Sequence, residues 1–459
     1  MPQPTLRNRT LLASGFHAPV LGEVDVLTDV LIAIGRKGEI IAVTRPADPG
    51  YAEARFAAEA SGRLERLPEG SYLLPGFVDC HVHAPQYPQL GAALDVPLEV
   101  WLRKYTFPLE ARYRDLAFAR RAYSLLVADL IANGTTTALY FATVHQDATR
   151  VLVDICLEKG QRALVGKVAM DDPETCPDYY RDASVDAALS GTRALIEYVR
   201  GHPGNPEGRV KPVVTPRFIP SCTDATLQGL GEIAGDCGCH VQTHVSESDW
   251  AHGYVLSRHG ITDTESLDRF GLIGRHSMLA HANLLTVADM ETLKVRQAAA
   301  AHCPLSNAFF AGAVFPLKSA LEKGLHVGLG TDISGGPSAS MLENCRAAIT
   351  VSRMLESGTD PGRPPHARGS GIPTRIDFRH AFHVATAGGA KALDLPVGEF
   401  SPGYQFDAIV IDTRAKGGSI RLWDEFDHGE GILQKIVFTA SKANIGTVWI
   451  GGEVVSADG

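Results

Sequence analysis

The heptapeptide Phe77-Val78-Asp79-Cys80-His81-Val82-His83 indicates the fold and locates the chemistry. Its apolar beginning predicts a buried strand, and two histidines separated by one residue stand at its end. Because successive side chains of a strand point to opposite faces, His81 and His83 are expected on the same side. Two such imidazoles can share a divalent metal, although a surface or core pair explains an isolated H-x-H pattern equally well.

This heptapeptide belongs to the first of eight short apolar runs. The runs occupy residues 73–82, 135–141, 163–169, 210–216, 240–245, 277–280, 298–302 and 326–330. Segments of helical composition lie between most of them, at 115–132, 187–200, 286–297 and 316–323. Near-continuous apolar strands that alternate with helices are typical of a parallel sheet. Eight such units over about 250 residues favour a closed barrel, so the predicted class is α/β with a TIM-like (β/α)8 barrel.

The two ends of the chain lack this alternation. Residues 24–34 and 39–43 resemble a β-hairpin, and residues 405–411 and 446–455 resemble further strands. We therefore expect a small β-sandwich domain formed from both termini. The expected division is 1–70 and 396–459 for the two parts of the small domain, and 71–395 for the barrel. The Pro-, Gly- and Arg-rich stretch 358–374 is expected to be an exposed loop.

Composition excludes several classes of protein. The 459 residues include 43 basic and 52 acidic side chains, a formal net charge of −9, which argues against a nucleic-acid-binding surface. No stretch approaches 18 consecutive apolar residues, so no membrane span is predicted. Residues 1–13 lack the cationic start and apolar run of a secretory signal, and the eight cysteines are expected to be reduced, mostly buried thiols. A cytoplasmic location is expected.

Three further candidate metal ligands stand where other predicted strands end. His244 closes the run 240–245, His281 follows 277–280, and Asp332 follows 326–330. In a closed barrel the carboxyl ends of the strands converge at one mouth, where active sites lie. A hydrogen-bonding role explains any one of these residues, but not their common placement. We predict a metal site formed by His81, His83, His244 and Asp332; such ligands suit Zn²⁺, and iron or another first-row metal fits the same set.

Glu247 lies three residues beyond His244 and is expected to carry protons without binding the metal. A bound metal lowers the pKa of water to about 7 and supplies hydroxide at neutral pH. Asp332 can bind the metal and also accept the proton of the water. Hydrolytic deamination requires metal ligands and, apart from them, a residue that carries protons, because a ring nitrogen must be protonated before ammonia leaves. A surface carboxylate is the simpler interpretation of Glu247.

The complete pattern resembles the amidohydrolase superfamily, and specifically its mononuclear metal-dependent deaminase branch. That branch has H-x-H, a histidine followed three residues later by glutamate, a further histidine, and an aspartate after the last strand. The resemblance implies catalytic roles for Glu247, Asp332 and His281, and one metal ion in each subunit. The bridging lysine of the binuclear branch is not expected here, because Lys211 lies at the start of its predicted strand.

Several longer segments are similar to the guanine deaminase family within that superfamily. They are HVHAPQYPQLGAALDVPLEVWLRKYTFPLE at 81–110, GTTTALYFAT at 134–143, GKVAMD at 166–171, VTPRF at 214–218, AHCPLSN at 301–307 and GLGTD at 328–332. The resemblance implies guanine as substrate, a role in purine catabolism or salvage, a homodimer, and substrate contacts from His83, Gln86, Arg217 and Phe218. Ile219-Pro220 after Phe218 departs from the family pattern without removing a functional group.

The side chains assigned to the substrate have suitable chemistry, and each also has a simpler interpretation. Gln86 offers a donor and an acceptor, which suits a lactam edge. Arg217 can donate to a ring carbonyl and Phe218 can contact the ring, yet a salt bridge and a core position explain them equally simply. Whether Trp101 and Tyr105 line the pocket or only pack the loop stays open.

Three alternatives are weighed against this interpretation. Another deaminase or a dechlorinase of the superfamily would act on a pterin, triazine, cytosine or adenine-like ring, but Gln86 with Arg217 favours a ring that bears a carbonyl. A non-catalytic scaffold is expected to have lost metal ligands or Glu247, and all are present. The zinc deaminases that act on nucleic-acid bases require a P-C-x-x-C element, which is absent here.

Overall fold

The computed structural model describes residues 5–455, and its strands divide between two sheets. In chain order the strands are β1 (Thr10–His17), β2 (Asp25–Ile34), β3 (Ile40–Thr44), β4 (Leu64–Arg66), β5 (Ser71–Pro75), β6 (Phe77–His83), β7 (Thr135–Phe141), β8 (Arg162–Gly166), β9 (Val168–Ala169), β10 (Val210–Pro216), β11 (His240–Val245), β12 (Ser277–His281), β13 (Ala299–His302), β14 (His326–Leu329), β15 (Ala408–Asp412), β16 (Ile445–Ile450) and β17 (Glu453–Val455).

The helices lie mainly between the strands of the central part of the chain. They are α1 (Tyr51–Ala60), α2 (Leu98–Trp101), α3 (Phe107–Ala111), α4 (Leu116–Ala132), α5 (Gln146–Glu158), α6 (Val185–Gly201), α7 (Asp224–Cys237), α8 (Asp249–His259), α9 (Asp263–Arg269), α10 (Val287–Arg296), α11 (Pro304–Ser306), α12 (Leu317–Glu322), α13 (Met341–Ser357), α14 (Phe378–Ala385), α15 (Ala387–Ala392) and α16 (Glu430–Thr439). In the described part of the chain, no helix is long and apolar enough to cross a bilayer.

The central sheet is parallel and almost closed into a barrel. Its order is β6-β7-β8-β10-β11-β12-β13-β14, with β9 paired to β10. Backbone bonds bring its two outer strands together: Asp332 N donates to His81 O at 2.8 Å, and His83 N donates to Ile333 O at 3.0 Å. The predicted (β/α)8 class is thereby confirmed. The helices predicted at 115–132, 187–200, 286–297 and 316–323 correspond to α4, α6, α10 and α12.

The predicted run 73–82 is two strands rather than one. β5 ends at Pro75 and pairs with β15 in the other sheet, and β6 begins the barrel at Phe77. Gly76 separates the two strands, and a Cβ there would lie 2.1 Å from Thr136 Oγ1. An apolar run alone does not show this break, because both strands are buried. The predicted domain boundaries at 70/71 and 395/396 stay a prediction.

The strands from both ends of the chain form one sheet of eight strands. Its order is β17-β16-β15-β5-β1-β2-β3, with β4 paired to β1. The predicted small β domain formed from both ends of the chain is thereby confirmed, and side chains of β1–β3 pack with those of β5, β15 and β16 in one core, as in a sandwich. β1 and β5 meet at the pair Gly15 and Leu73, where a Cβ on Gly15 would lie 2.0 Å from Leu73 O. Only glycine allows these two strands to approach so closely.

A β-bulge near the end of β6 directs its histidines into the barrel. Asp79 and Val82 pair with Ala138 and Tyr140, so β6 has one extra residue in this interval. Cys80 packs in the interior cluster that includes residues of the other barrel strands. Strict alternation after Cys80 would direct His81 outwards, and the extra residue lets both side chains face inwards. The bulge therefore places the H-x-H pair in the mouth of the barrel.

Candidate active site

Four histidines and one aspartate meet at the carboxyl ends of the barrel strands. His81 Nε2 lies 3.1 Å from Asp332 Oδ1, and His83 Nε2 lies 3.6 Å from the same oxygen. His83 Nε2 is 2.8 Å from His244 Nε2. His281 Nε2 lies 3.8 Å from Asp332 Oδ2, so it joins the same cluster. The structure brings together all five residues that the sequence placed at strand ends.

Hydrogen bonds at the outer ring nitrogens orient two of these histidines. His244 Nδ1 lies 2.6 Å from Arg217 O, and His281 Nδ1 lies 2.9 Å from Asn307 Oδ1. A carbonyl oxygen accepts, so each Nδ1 carries the proton and each Nε2 presents a lone pair to the cluster. Such outer partners are what fix the orientation of a metal-binding histidine.

The residues present fit a divalent metal. Both ring nitrogens of His81 and the Nε2 atom of His281 are buried without a hydrogen bond of suitable geometry among the described residues, even though His81 Nε2 lies 3.1 Å from Asp332 Oδ1. An unpaired buried nitrogen costs about 1–3 kcal/mol, and a cation shared by the cluster removes that cost. His81 with His244 and His281, and His81 with His83 and Asp332, each place their candidate ligand atoms within 4.8 Å of one another. Neutral imidazoles with a carboxylate are typical zinc ligands.

Burial determines the charge state of this cluster. It lowers the pKa of His81, His83 and His244 well below the usual range, so the rings are neutral at neutral pH. Burial also raises the pKa of Asp332, while the neighbouring His281 acts in the opposite direction. The neutral imidazole is the form that binds a metal.

Glu247 faces the same space from the segment after β11. Its Oε1 lies 3.6 Å from His281 Nε2, and its backbone oxygen accepts from Asn283 Nδ2 at 2.9 Å. Burial, with a further contribution from the negative charge of Asp332, raises the pKa of Glu247 to about 8. The carboxyl group is therefore close to the cluster and held by its own backbone.

Arg217 and Gln86 lie together because both bind one buried carboxylate, that of Glu110. Arg217 donates from Nη1 to Glu110 Oε2 at 2.6 Å and from Nη2 to Glu110 Oε1 at 3.1 Å. Gln86 Nε2 donates to Glu110 Oε1 at 2.9 Å, and Gln86 Oε1 accepts from Ser334 N at 3.1 Å. Arg217 therefore forms a salt bridge, as its simpler interpretation holds, and it also lines the cavity. Its contact with a substrate stays a prediction.

One cavity connects the histidine–aspartate cluster with Gln86 and Arg217. Phe218 lies at its wall, with its ring 6.3 Å from that of His244. Trp101 also lines the cavity, packed 5.1 Å from Phe310, whereas Tyr105 is not a lining residue. The lining residues are His83, Gln86, Leu98, Trp101, Leu102, Arg217, Phe218, His244, Glu247, Ser306, Phe310, Asp332 and Gly335. Lys211, half-buried at the start of β10, is far from this end, as the sequence predicted.

Sequence reasoning missed three residues that hold the site in place. Glu110 is the last residue of the segment 81–110, but its partner Arg217 is 107 residues away in the sequence. Asn307 ends the segment AHCPLSN and holds His281. Asp79 accepts from Thr331 N at 2.9 Å and from Thr331 Oγ1 at 2.5 Å, and thereby ties β6 to the strand end that carries Asp332. A polar side chain inside an apolar strand was the available signal for Asp79.

The barrel and its histidine–aspartate cluster define a protein of the (β/α)8 class with a candidate metal site. A model of the amidohydrolase family matches residues 72–455. A probable guanine deaminase of Schizosaccharomyces pombe is 36% identical over 450 residues, which cover 96% of this chain and 82% of that protein. The guanine deaminase of Mus musculus is 33% identical over 447 residues, covering 96% and 94%.

A solved structure extends the similarity to the whole fold. The guanine deaminase from C. acetobutylicum with bound guanine in the active site has a TM-score of 0.85 and 29% identity, covering 97% of this chain and 99% of that one. This chain belongs to the amidohydrolase family, and within it to the family of guanine deaminases.

Proposed function

We propose that this chain catalyses the hydrolytic deamination of guanine, in which guanine and water give xanthine and ammonia. The observation that carries the proposal is the single cavity that has the histidine–aspartate cluster at one end and Gln86 with Arg217 at the other. The similarity to guanine deaminases over nearly the whole chain supports the same substrate. The reaction belongs to purine catabolism or salvage.

We propose that the cluster holds one Zn²⁺ ion through His81, His83, His244 and Asp332. The orphaned ring nitrogen of His81 and the neutral state of the three imidazoles support this assignment. Iron fits the same donor set, because imidazole and carboxylate bind both metals. When bound, such a metal supplies a hydroxide-like nucleophile at neutral pH.

We propose that Gln86, Arg217, Phe218 and His83 hold the ring so that its amino-bearing carbon faces the cluster. Arg217 donates to the ring carbonyl, and Gln86 contacts the adjacent lactam edge with its remaining donor and acceptor capacity. Phe218 contacts the ring and limits the access of water. These contacts favour a ring with a carbonyl over adenine.

Two side chains move protons in the proposed reaction, and a third stabilises the charge on one of them. Asp332 accepts the proton of the attacking water, and His281, 3.8 Å from it, stabilises the charge that develops there. Glu247 gives its proton to a ring nitrogen, which makes the amino-bearing carbon electrophilic, and the water oxygen bonds to that carbon. Glu247 then takes up the second proton of this oxygen and passes it to the amine as the ring carbonyl forms, and the proton held by Asp332 restores the Glu247 carboxyl. The bond from that carbon to the amine breaks, and ammonia leaves as a neutral molecule.

A purified-protein assay tests this function directly. Ammonia release is measured with guanine, adenine, cytosine, a pterin and a triazine, and the bound metal is quantified in the same preparation. We expect release from guanine at a kcat/KM at least about tenfold above that of any other ring. Inert guanine together with an active second ring would reject the substrate and keep the family.

We further propose a cytoplasmic homodimer. The aromatic side chains of Trp423 and Phe426 are 59% and 75% exposed, which supports a contact between copies of the chain. The eight cysteines are free thiols, a state that a reducing compartment maintains. Light scattering on the purified protein tests the dimer, and cell fractionation tests the location.

A further inference from the structure

The carboxylate of Glu110 lies behind the substrate end of the cavity. Its side chain is fully buried in α3, and it is absent from the residues that line the cavity, whereas its partners Gln86 and Arg217 both line it. Phe107 of the same helix covers the Arg217 guanidinium, 5.0 Å from the ring centre. Glu110 therefore acts on a ligand only through the two side chains that it holds.

These contacts fix both recognition groups in one orientation. The amide of Gln86 is bound at both ends, by Glu110 at Nε2 and by the Ser334 backbone at Oε1. The paired contact of Arg217 with Glu110 uses two of its five N–H donors, and the rest remain for other partners. A buried bidentate pair of this kind is rigid, so the donors that face the cavity are placed before a ligand arrives.

The same contact cancels a charge. Among the residues that line the cavity, Arg217 is the cation at the substrate end, and Glu110 neutralises it at 2.6 Å. The ring consequently meets directed donors without an uncompensated positive charge.

We propose that Glu110 determines the charge specificity of this cavity: by neutralising Arg217, it makes the cavity bind a neutral ring in preference to an anionic one. The inference rests on the proposed deamination of guanine, which is neutral at neutral pH. Glu110 is thus a positioning residue that also excludes anionic purines. Arg217 without this partner would attract an anion instead.

The experiment compares two purines of different charge on the metal-loaded full-length protein. Hypoxanthine is a neutral lactam at neutral pH, and urate is a monoanion. Calorimetry gives the dissociation constant of each for the wild type, Glu110→Gln and Glu110→Asp. In Glu110→Gln we expect the affinity ratio to shift towards urate by about tenfold or more. In Glu110→Asp, which keeps the charge, we expect a wild-type ratio and a higher KM for guanine with little change in kcat.

Asp407→Asn is the matched control. Asp407 is also a buried carboxylate paired with an arginine through two contacts, at 2.8 and 3.1 Å to Arg162, but it lies where β15 of the terminal sheet begins. We expect lower stability in this variant and a purine affinity ratio within about twofold of the wild type. The inference would be overturned if the ratio of urate to hypoxanthine affinity in Glu110→Gln stayed within about twofold of the wild type. It would also be overturned if Glu110→Asp shifted this ratio as much as Glu110→Gln does.

A double variant covers the case in which Glu110→Gln does not fold. Glu110→Gln with Arg217→Gln removes both buried charges together and avoids an unpaired guanidinium. If Glu110 neutralises Arg217 in the wild type, removing both charges should leave the ratio of the urate and hypoxanthine dissociation constants unchanged. A selective loss of urate binding would show that Arg217 attracts anions even when it is paired with Glu110, and would overturn the inference. Failure of the wild type to deaminate guanine would reject the proposed function instead, because the two dissociation constants do not depend on turnover.

Discussion

The Nδ1 atom of His281 lies 2.9 Å from Oδ1 of Asn307, and this contact determines which ring nitrogen of His281 faces the cluster. Asn307 Nδ2 in turn donates to Asn283 Oδ1 at 2.8 Å, and Asn283 Nδ2 donates to the backbone oxygen of Glu247 at 2.9 Å. A chain of two side-chain amides thus connects the histidine with the proposed proton carrier. Both groups are held by one network.

Asn307→Ala should therefore impair catalysis without removing the metal ligands. Without the Asn307 oxygen, either ring nitrogen of His281 can carry the proton. We therefore expect kcat/KM for guanine to fall about 10–100-fold. Steady-state kinetics with parallel metal quantification measures this. Asn344→Ala, which alters a fully buried asparagine in α13, is the control. Equal kinetics in both variants would contradict the proposed network.

Glu247→Gln should retain the metal and lose nearly all turnover. The amide fills the same volume but does not transfer a proton between water and the ring, so we expect kcat to fall by about 10²–10⁴. Ammonia release and metal content are measured on the same sample. Substantial remaining activity would remove Glu247 from the mechanism.

His81→Ala and Asp332→Ala should lower the metal content. Each removes one of the proposed ligands, whose candidate atoms lie within 4.8 Å of one another. Elemental analysis after dialysis against a weak chelator measures the loss. His240→Gln serves as control, because His240 is buried at the start of β11 and bonds to Leu393 O at 2.8 Å. Unchanged metal content in the two alanine variants would reject these ligand assignments.

Asp79→Asn should destabilise the junction between the first and last barrel strands. The new amide nitrogen is a donor and would face the donors of Thr331 or His81, which now bind a carboxylate oxygen. We therefore expect a loss of about 1–3 kcal/mol in the free energy of unfolding. Urea unfolding and metal titration are the measurements. Asp171→Asn is a close control, because Asp171 accepts from Thr223 N at 2.9 Å and from Thr223 Oγ1 at 2.7 Å and is not part of the histidine–aspartate cluster.

Both of these aspartate variants should lose stability, but only Asp79→Asn should weaken metal binding. His81 N lies 3.2 Å from Asp79 Oδ1, so the contact also positions a proposed ligand. Equal metal affinity in the two variants would show that Asp79 stabilises the barrel without orienting the site.

Arg217→Ala should lower both guanine turnover and stability. The variant removes the donor to the ring carbonyl and leaves the buried Glu110 carboxylate unpaired, which costs about 3–5 kcal/mol. Thermal unfolding gives the second effect, and kcat/KM for guanine at a temperature where the protein is folded gives the first. A kcat/KM equal to that of the wild type would refute a substrate contact by Arg217.

The amino-acid sequence was sufficient to predict the barrel, because strands and helices follow from local periodicity. The runs at 135–141, 210–216 and 240–245 are β7, β10 and β11 without any change of bounds. The sequence also predicted that the candidate ligands lie together, since any residue at the carboxyl end of a barrel strand reaches the same mouth.

Only the tertiary structure showed which side chains hold the candidate ligands, and which hold Gln86 and Arg217 at the other end of the cavity. Arg217 meets Glu110 across 107 residues of chain, and the extra residue in β6 that directs His81 inwards is visible only against the register of β7. Local periodicity depends on neighbours in sequence, whereas such pairings depend on how distant segments pack. A buried charge is paired with an opposite charge only in the folded barrel, and the residues next to it in the sequence do not indicate which residue that is.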